Sequence, residues 1–209
     1  MEILSKNHFA LLTERTLADW ISLLTFIPIL GAYQAILTNR PDWAIFLFVI
    51  AFYLDTLDGF TARKQKTEST FGRQLDTFAD FANYVLGSCL FIYIFLPLAL
   101  PVKYFAIFLF VIAGILRLCR MTLVGIALLP QTKQPFYHGL PVTFISLFAF
   151  IFFYVFQTPS LLLNIFFCFV TIIMSILMIS EMPVRKLPSR FWIIISLPIL
   201  WIATWNLLS

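Results

Sequence analysis

Charge is what this sequence has least of. Only 11% of its 209 residues are Asp, Glu, Lys or Arg, against 61% hydrophobic, and the mean hydropathy is +0.96. Such a chain cannot cover a globular surface with polar groups, which excludes a soluble domain. The net charge of +4 is spread over connections between apolar runs and forms no basic module, so nucleic acid is not an expected partner. Cysteine and histidine are scarcer still. Cys89, Cys119 and Cys168 stand singly in apolar runs, without CxxC pairs or histidines at zinc spacing, and read as small buried residues. There is no Ser-His-Asp arrangement, Walker loop, dinucleotide glycine fingerprint, internal repeat or low-complexity segment.

What fills the chain is long apolar stretches. Runs near 17 to 38, 42 to 63, 72 to 97, 101 to 127, 137 to 157, 160 to 180 and 189 to 208 reach or approach the ~20 residues a helix needs to cross a bilayer. The expected fold is an all-α, multi-pass transmembrane bundle of seven spans. With the N-terminus inside, twelve of the fourteen Lys and Arg fall on the cytoplasmic side and only Arg40 and Lys103 outside, as the positive-inside rule requires. Residues 1–16 mix Leu4, Phe9, Leu11 and Leu12 with Glu2, Lys6, His8, Glu14 and Arg15, the pattern of an amphipathic helix on the inner leaflet. They lack the features of a cleaved signal peptide. The phenylalanine-rich stretch 142–180 is expected to face lipid or a partner subunit.

Against this background the aspartates stand out. Four of the six in the chain, Asp55, Asp58, Asp76 and Asp80, fall within 26 positions. A carboxylate at the membrane rim is costly unless it is paired or bound to a cation. On helices, Asp55 and Asp58 at i, i+3 and Asp76 and Asp80 at i, i+4 each share a face, so two helix ends joined by a short connection can aim all four into one pocket. Oxygen-only ligation selects a hard cation such as Mg²⁺, Mn²⁺ or Ca²⁺, and two ions can share four carboxylates. The same constellation also fits the cation site of a membrane transporter, which would release no nucleotide.

Other polar residues have two readings each. Asp19 and Ser22 either cap the first span or face a polar cavity. Gly59 and Ala62 leave room for close helix packing or for a bulky ligand beside Asp58. In the basic connection, Lys64 and Lys66 read as headgroup anchors and Arg63 as a phosphate contact. Asn83 and Gly87 continue the stripe of Asp76 and Asp80. Arg117 and Arg120, one turn apart, are either a snorkelling pair or an anion site facing the cluster. Gly139 and Pro141 mark a helix start that comes close to other backbone, and beside them His138 meets headgroups or orients a polar substrate.

The pattern Asp55-x-x-Asp58-Gly59-x-x-Ala62-Arg63, eight residues, Gly72-x-x-x-Asp76-x-x-x-Asp80 resembles, position for position, the signature of the CDP-alcohol phosphatidyltransferases. Hydropathy is similar to that of the family over about residues 15 to 180, the last span being an addition to a six-helix core. The resemblance implies three regions: a juxtamembrane segment at 1–16, the transferase domain at 17–180, and a basic loop with a C-terminal span at 181–209. It implies transfer of a phosphatidyl group from CDP-diacylglycerol to an alcohol with release of CMP, at the cytoplasmic face of a prokaryotic membrane, by a homodimer. Carried over, Asp55, Asp58 and Asp76 would hold Mg²⁺ or Mn²⁺, two ions in all, and Asp80 would contact the second ion and act as general base. Gly59, Ala62, Arg63, Ser69 and Gly72 would lie along the CDP moiety. Asp19 and Ser22 stand where members place nucleotide contacts, usually as Asn-x-x-Thr.

For the acceptor, Leu116-Arg117-Leu118-Cys119-Arg120 and Gly139-Leu140-Pro141 look like the Leu-Arg-Leu-Ala-Arg-Phe and Gly-Leu-Pro motifs of bacterial and archaeal phosphatidylserine synthases, implying L-serine held by Asn83, Arg117, Arg120 or His138. Those synthases follow the last aspartate, after two residues, with Ser-Phe-Gly-Val-Ala-Pro, where this chain has Asn83-Tyr84-Val85-Leu86-Gly87-Ser88. Phe81 occupies the place where phosphatidylglycerophosphate synthases carry a lysine. Glycerol 3-phosphate, inositol phosphate and choline are the other acceptors the family offers.

Overall fold

Helix ends decide where the polar groups gather, and the first end is set by a capping box. Thr16 accepts from the Asp19 amide at 3.2 Å while the Asp19 carboxylate accepts from the Thr16 amide at 3.0 Å, starting α1 (Leu17–Leu37). The helix stops at Thr38 and Asn39, the latter at φ 56°, a left-handed turn that asparagine tolerates. Pro41, suited to a first helical position, then opens α2 (Pro41–Gln65), which runs back along α1. Ala32, Ala35, Ala44 and Ala51 are buried along these helices, small side chains of the kind that let membrane helices pack closely.

The computed structural model describes residues 16–65, 70–124, 127–128, 135–185 and 189–208. The expected amphipathic segment at 1–16 therefore lies, apart from Thr16, outside the described residues, as does Ser69. After α2 come α3 (Thr70–Asp80), a π-helical segment (Phe81–Leu86) and α4 (Gly87–Phe95), consecutive along one apolar span; then α5 (Leu100–Val124), α6 (Thr143–Val155), α7 (Leu161–Ile179) and α8 (Ser189–Leu208). Among the described residues five helical stretches are long and apolar enough to cross a membrane, Leu17–Leu37, Pro41–Ala62, Phe71–Phe95, Leu100–Leu123 and Leu161–Ile179. The molecule fits a multi-pass membrane bundle, as the composition predicts.

Two departures from the expected spans have one cause. The fourth span ends at Val124 and the fifth starts only at Thr143, because the chain between them contributes to a small antiparallel sheet in the order β1 (Ala127–Leu128), β2 (Pro135–His138), β3 (Pro183–Arg185). Phe136 pairs with Ala127 on one side and Arg185 on the other. The sheet ties the α5–α6 connection to the segment after α7, and α6 is left with 13 residues.

The π-helical segment is held by hydroxyls from neighbouring helices. Tyr33 on α1 donates to the Ala82 carbonyl at 2.6 Å, and Ser146 on α6 to the Tyr84 carbonyl at 3.5 Å. A π turn spaces its backbone bonds differently from an α turn, and such turns occur often at functional sites. Here it begins one residue after Asp80. Two glycines accommodate it: a Cβ on Gly87 would lie 2.5 Å from the Phe48 ring and one on Gly114 2.7 Å from Val85.

Phenylalanines build the middle of the bundle. Phe91, Phe110, Phe152 and Phe167 are fully buried, with Phe91 edge-on to Phe150 at 5.1 Å and Phe152 edge-on to Phe167 at 4.7 Å. The 142–180 stretch thus does not simply face lipid. Ile145, Ala149, Phe150 and Phe152 of α6 and Phe167 and Met178 of α7 are core residues, whereas Leu161, Leu162, Ile165 and Ile176 stay exposed.

Candidate active site

The start of α1, the ends of α2 and α5, and the short α3 meet at one end of the bundle, together with the sheet. Carboxylate oxygens of Asp55 on α2 and of Asp76 and Asp80 on α3 lie within 4.8 Å of one another. At that separation two like charges repel by roughly 3 to 4 kcal/mol per pair at an effective dielectric near 20. A cation among them removes that penalty. The fourth aspartate, Asp58, is buried beside them and acts electrostatically on Asp55 and Asp80. Its Oδ2 accepts a short hydrogen bond from the Ser22 hydroxyl of α1.

Hydroxyl donors reach both α2 carboxylates from other helices. Ser22 serves Asp58, and Tyr84 donates to Asp55 Oδ2 at 3.3 Å. Such donors suit ionised carboxylates, and with oxygens from both helix ends converging, the donor set fits a hard divalent cation. Arg117, buried at the end of α5, acts electrostatically on Asp80.

The chain matches the family model of the CDP-alcohol phosphatidyltransferases over residues 15–185. It belongs to that family. It is similar to the CDP-diacylglycerol–serine O-phosphatidyltransferase of Methanocaldococcus jannaschii, at 27% identity over 180 residues covering 86% of this chain and 79% of that protein. The protein of the same name from Bacillus subtilis is 29% identical over 125 residues, 59% of this chain and 67% of its own. For the one from Mycobacterium leprae the figures are 35% over 101 residues, 48% of this chain, and the match spans only about a third (32%) of that relative's length.

Within this phosphatidyltransferase bundle the remaining site residues fall into three groups. Asp19 closes the capping box and is buried, so of its two readings the helix cap is the contact observed, while its neighbour Ser22 belongs to the carboxylate cluster. Gly59, Ala62 and Gly72 line the helix ends on either side of the connection and are partly exposed. The Arg63 side chain and Ser69 lie outside the described residues. Asn83 is buried one turn beyond Asp80, and its Oδ1 has no hydrogen-bond partner among the described residues. It borders an apolar pocket with Phe48, Phe52, Thr143 and Ile199, where the Thr143 hydroxyl is likewise unpartnered.

Arg117 and Arg120 do not form one anion site. Arg117 turns to the carboxylates, but Arg120 donates to the carbonyls of Ile179 at 2.7 Å, Met178 at 2.9 Å and His138 through a short bond. Spacing one turn apart puts the two arginines on one helix face, but packing gives them different partners, because the exposed carbonyls at the end of α7 attract a cation. Gly139, at φ 80°, lies so close that a Cβ would come within 2.5 Å of the Met178 carbonyl and 2.7 Å of the Arg120 guanidinium. The two motifs shared with phosphatidylserine synthases therefore meet in space as a clamp between α5, β2 and α7. His138 supplies a carbonyl to that clamp and packs its ring on Phe136 at 5.0 Å.

Sequence reasoning missed Tyr84, Tyr33, Thr143 and Ser146. Tyr84 follows Asp80 at i+4 and so continues its stripe, a signal that was present but masked by the many aromatics around it.

Proposed function

We propose that this protein transfers a phosphatidyl group from CDP-diacylglycerol to the hydroxyl of L-serine, releasing CMP, in a reaction that requires a divalent cation. The observation that carries the reading is the convergence of the Asp55, Asp76 and Asp80 carboxylates within 4.8 Å at the rim of a membrane bundle. Serine as acceptor is supported by the names of the relatives and by the Arg117–Arg120 and Gly139–Pro141 motifs.

Asp55, Asp58, Asp76 and Asp80 would hold two Mg²⁺ or Mn²⁺ ions. When bound there, the ions would supply charge that neutralises the pyrophosphate and stabilises the departing CMP. Gly59, Ala62 and Gly72, without bulky side chains, leave space along the CDP moiety, with Arg63 and Ser69 as its polar contacts. Asp80 takes the proton of the serine hydroxyl. The serine oxygen then bonds to the lipid-linked phosphorus, and the bond from that phosphorus to the bridging oxygen breaks, its electron pair leaving with CMP. Arg117, charged and buried next to Asp80, keeps that carboxylate oriented and offers a partner for the serine carboxylate. Asn83 presents a free acceptor one turn deeper, suited to the serine ammonium. The positive-inside distribution of Lys and Arg supports a site facing the cytoplasm, and the family resemblance supports a prokaryotic membrane and a homodimer.

The test is to offer purified protein in detergent CDP-diacylglycerol and Mn²⁺ with L-serine, glycerol 3-phosphate, inositol phosphate or choline in separate reactions. CMP release with serine alone is the expected result. Release with another alcohol instead would refute serine as acceptor, and release with none would refute phosphatidyl transfer to these alcohols.

A further inference from the structure

We propose that Tyr84 is a positioning residue of the metal centre, its hydroxyl fixing the Asp55 carboxylate from the interior of the bundle. The inference rests on the metal-dependent reading above. Tyr84 is 4% exposed and its hydroxyl donates to Asp55 Oδ2 at 3.3 Å. Its ring lies inside the bundle beside a pocket that Phe48, Phe52 and Ile199 also line. Its backbone is fixed from both sides: Ser146 donates to the Tyr84 carbonyl, and Tyr33 to the carbonyl of Ala82 two residues before.

A carboxylate ligand has two oxygens and can rotate about its last bond. A donor on one oxygen sets which lone pair faces the ion, and loss of such a partner typically weakens metal binding by about 10- to 100-fold. Asp58 has its own donor in Ser22 on α1. Asp55 has its donor in Tyr84. Tyr84→Phe therefore removes one oxygen atom and keeps a ring that the site is able to house.

The experiment compares wild type, Tyr84→Phe and Tyr33→Phe in detergent. Mn²⁺ binding is read from the loss of the free-ion EPR signal, and CMP release is followed as Mn²⁺ is raised. Tyr84→Phe is expected to bind Mn²⁺ about tenfold more weakly, at the low end of that range because the bond is long, and to regain the wild-type rate when Mn²⁺ is raised about tenfold. Tyr33→Phe, which loses a hydroxyl on the same helical segment but touches no carboxylate, is expected to melt earlier and bind Mn²⁺ as the wild type does. Unchanged Mn²⁺ binding in Tyr84→Phe, or equal weakening in both variants, would overturn the proposal. Wild-type protein that releases CMP without binding Mn²⁺ or Mg²⁺ would overturn the metal-dependent reading itself.

Discussion

Replacing Arg120 separates two accounts of a residue that sequence motifs associate with the acceptor. Its guanidinium makes three bonds to backbone carbonyls, those of Ile179, Met178 and His138. A hydrogen bond to a charged group contributes about 1.5 to 3 kcal/mol net, and water can replace part of it where the group is partly exposed, as Arg120 is. Arg120→Ala should then cost about 3 kcal/mol, equivalent to a fall in Tm of about 6 to 12 °C for a chain of this size. Arg120→Lys should recover less than half, since an ammonium on one stem cannot span three carbonyls in two segments. The assay is thermal unfolding of detergent-purified protein, together with the serine KM of the fraction that remains folded. Lower Tm with an unchanged serine KM is the expected outcome. An unchanged Tm with a KM raised tenfold or more would refute the clamp and return Arg120 to the acceptor site.

Further outcomes follow from the same geometry. Gly139→Ala, at positive φ and 2.5 Å from the Met178 carbonyl, should unfold at least as early as Arg120→Ala in the same melt. Gly87→Ala forces the Phe48 ring to move and should cost about 1 to 3 kcal/mol by thermal unfolding while leaving Mn²⁺ affinity intact. Ser22→Ala removes the donor on Asp58 and should lower Mn²⁺ affinity about tenfold in an EPR titration. At the opposite end, Tyr154→Phe loses a bond of 2.8 Å to Asp42 and should cost about 1 kcal/mol, a fall in Tm of about 2 to 4 °C, with full CMP release.

The carboxylate cluster was readable because charge is so rare here: an aspartate in an apolar run has few explanations, and helical spacing alone puts each pair on one face. The hairpin of α1 and α2 was readable for a similar reason, since Asn39-Arg40-Pro41 interrupts two long apolar runs. The sheet was not. Its strands have two to four residues and pair Phe136 with Ala127 and Arg185, the second 49 positions away, leaving no local periodicity. Nor could spacing tell Arg117 from Arg120. Both lie at the end of α5, and only the packing of α7 against that helix gives Arg120 carbonyls to bind and leaves Arg117 to the aspartates. The π-helical segment is likewise tertiary in origin. Its supports, Tyr33 and Ser146, come from helices 49 and 62 positions away from the carbonyls they meet.

The most direct test of the central claim is CMP release from CDP-diacylglycerol and serine by one protein preparation, before EDTA, after EDTA, and after Mn²⁺ is restored, beside an Asp80→Asn variant. The account predicts activity that vanishes on chelation, returns with the ion, and is absent from the variant at every metal concentration. CMP release that survives EDTA, or an Asp80→Asn variant that keeps the wild-type rate, would contradict it.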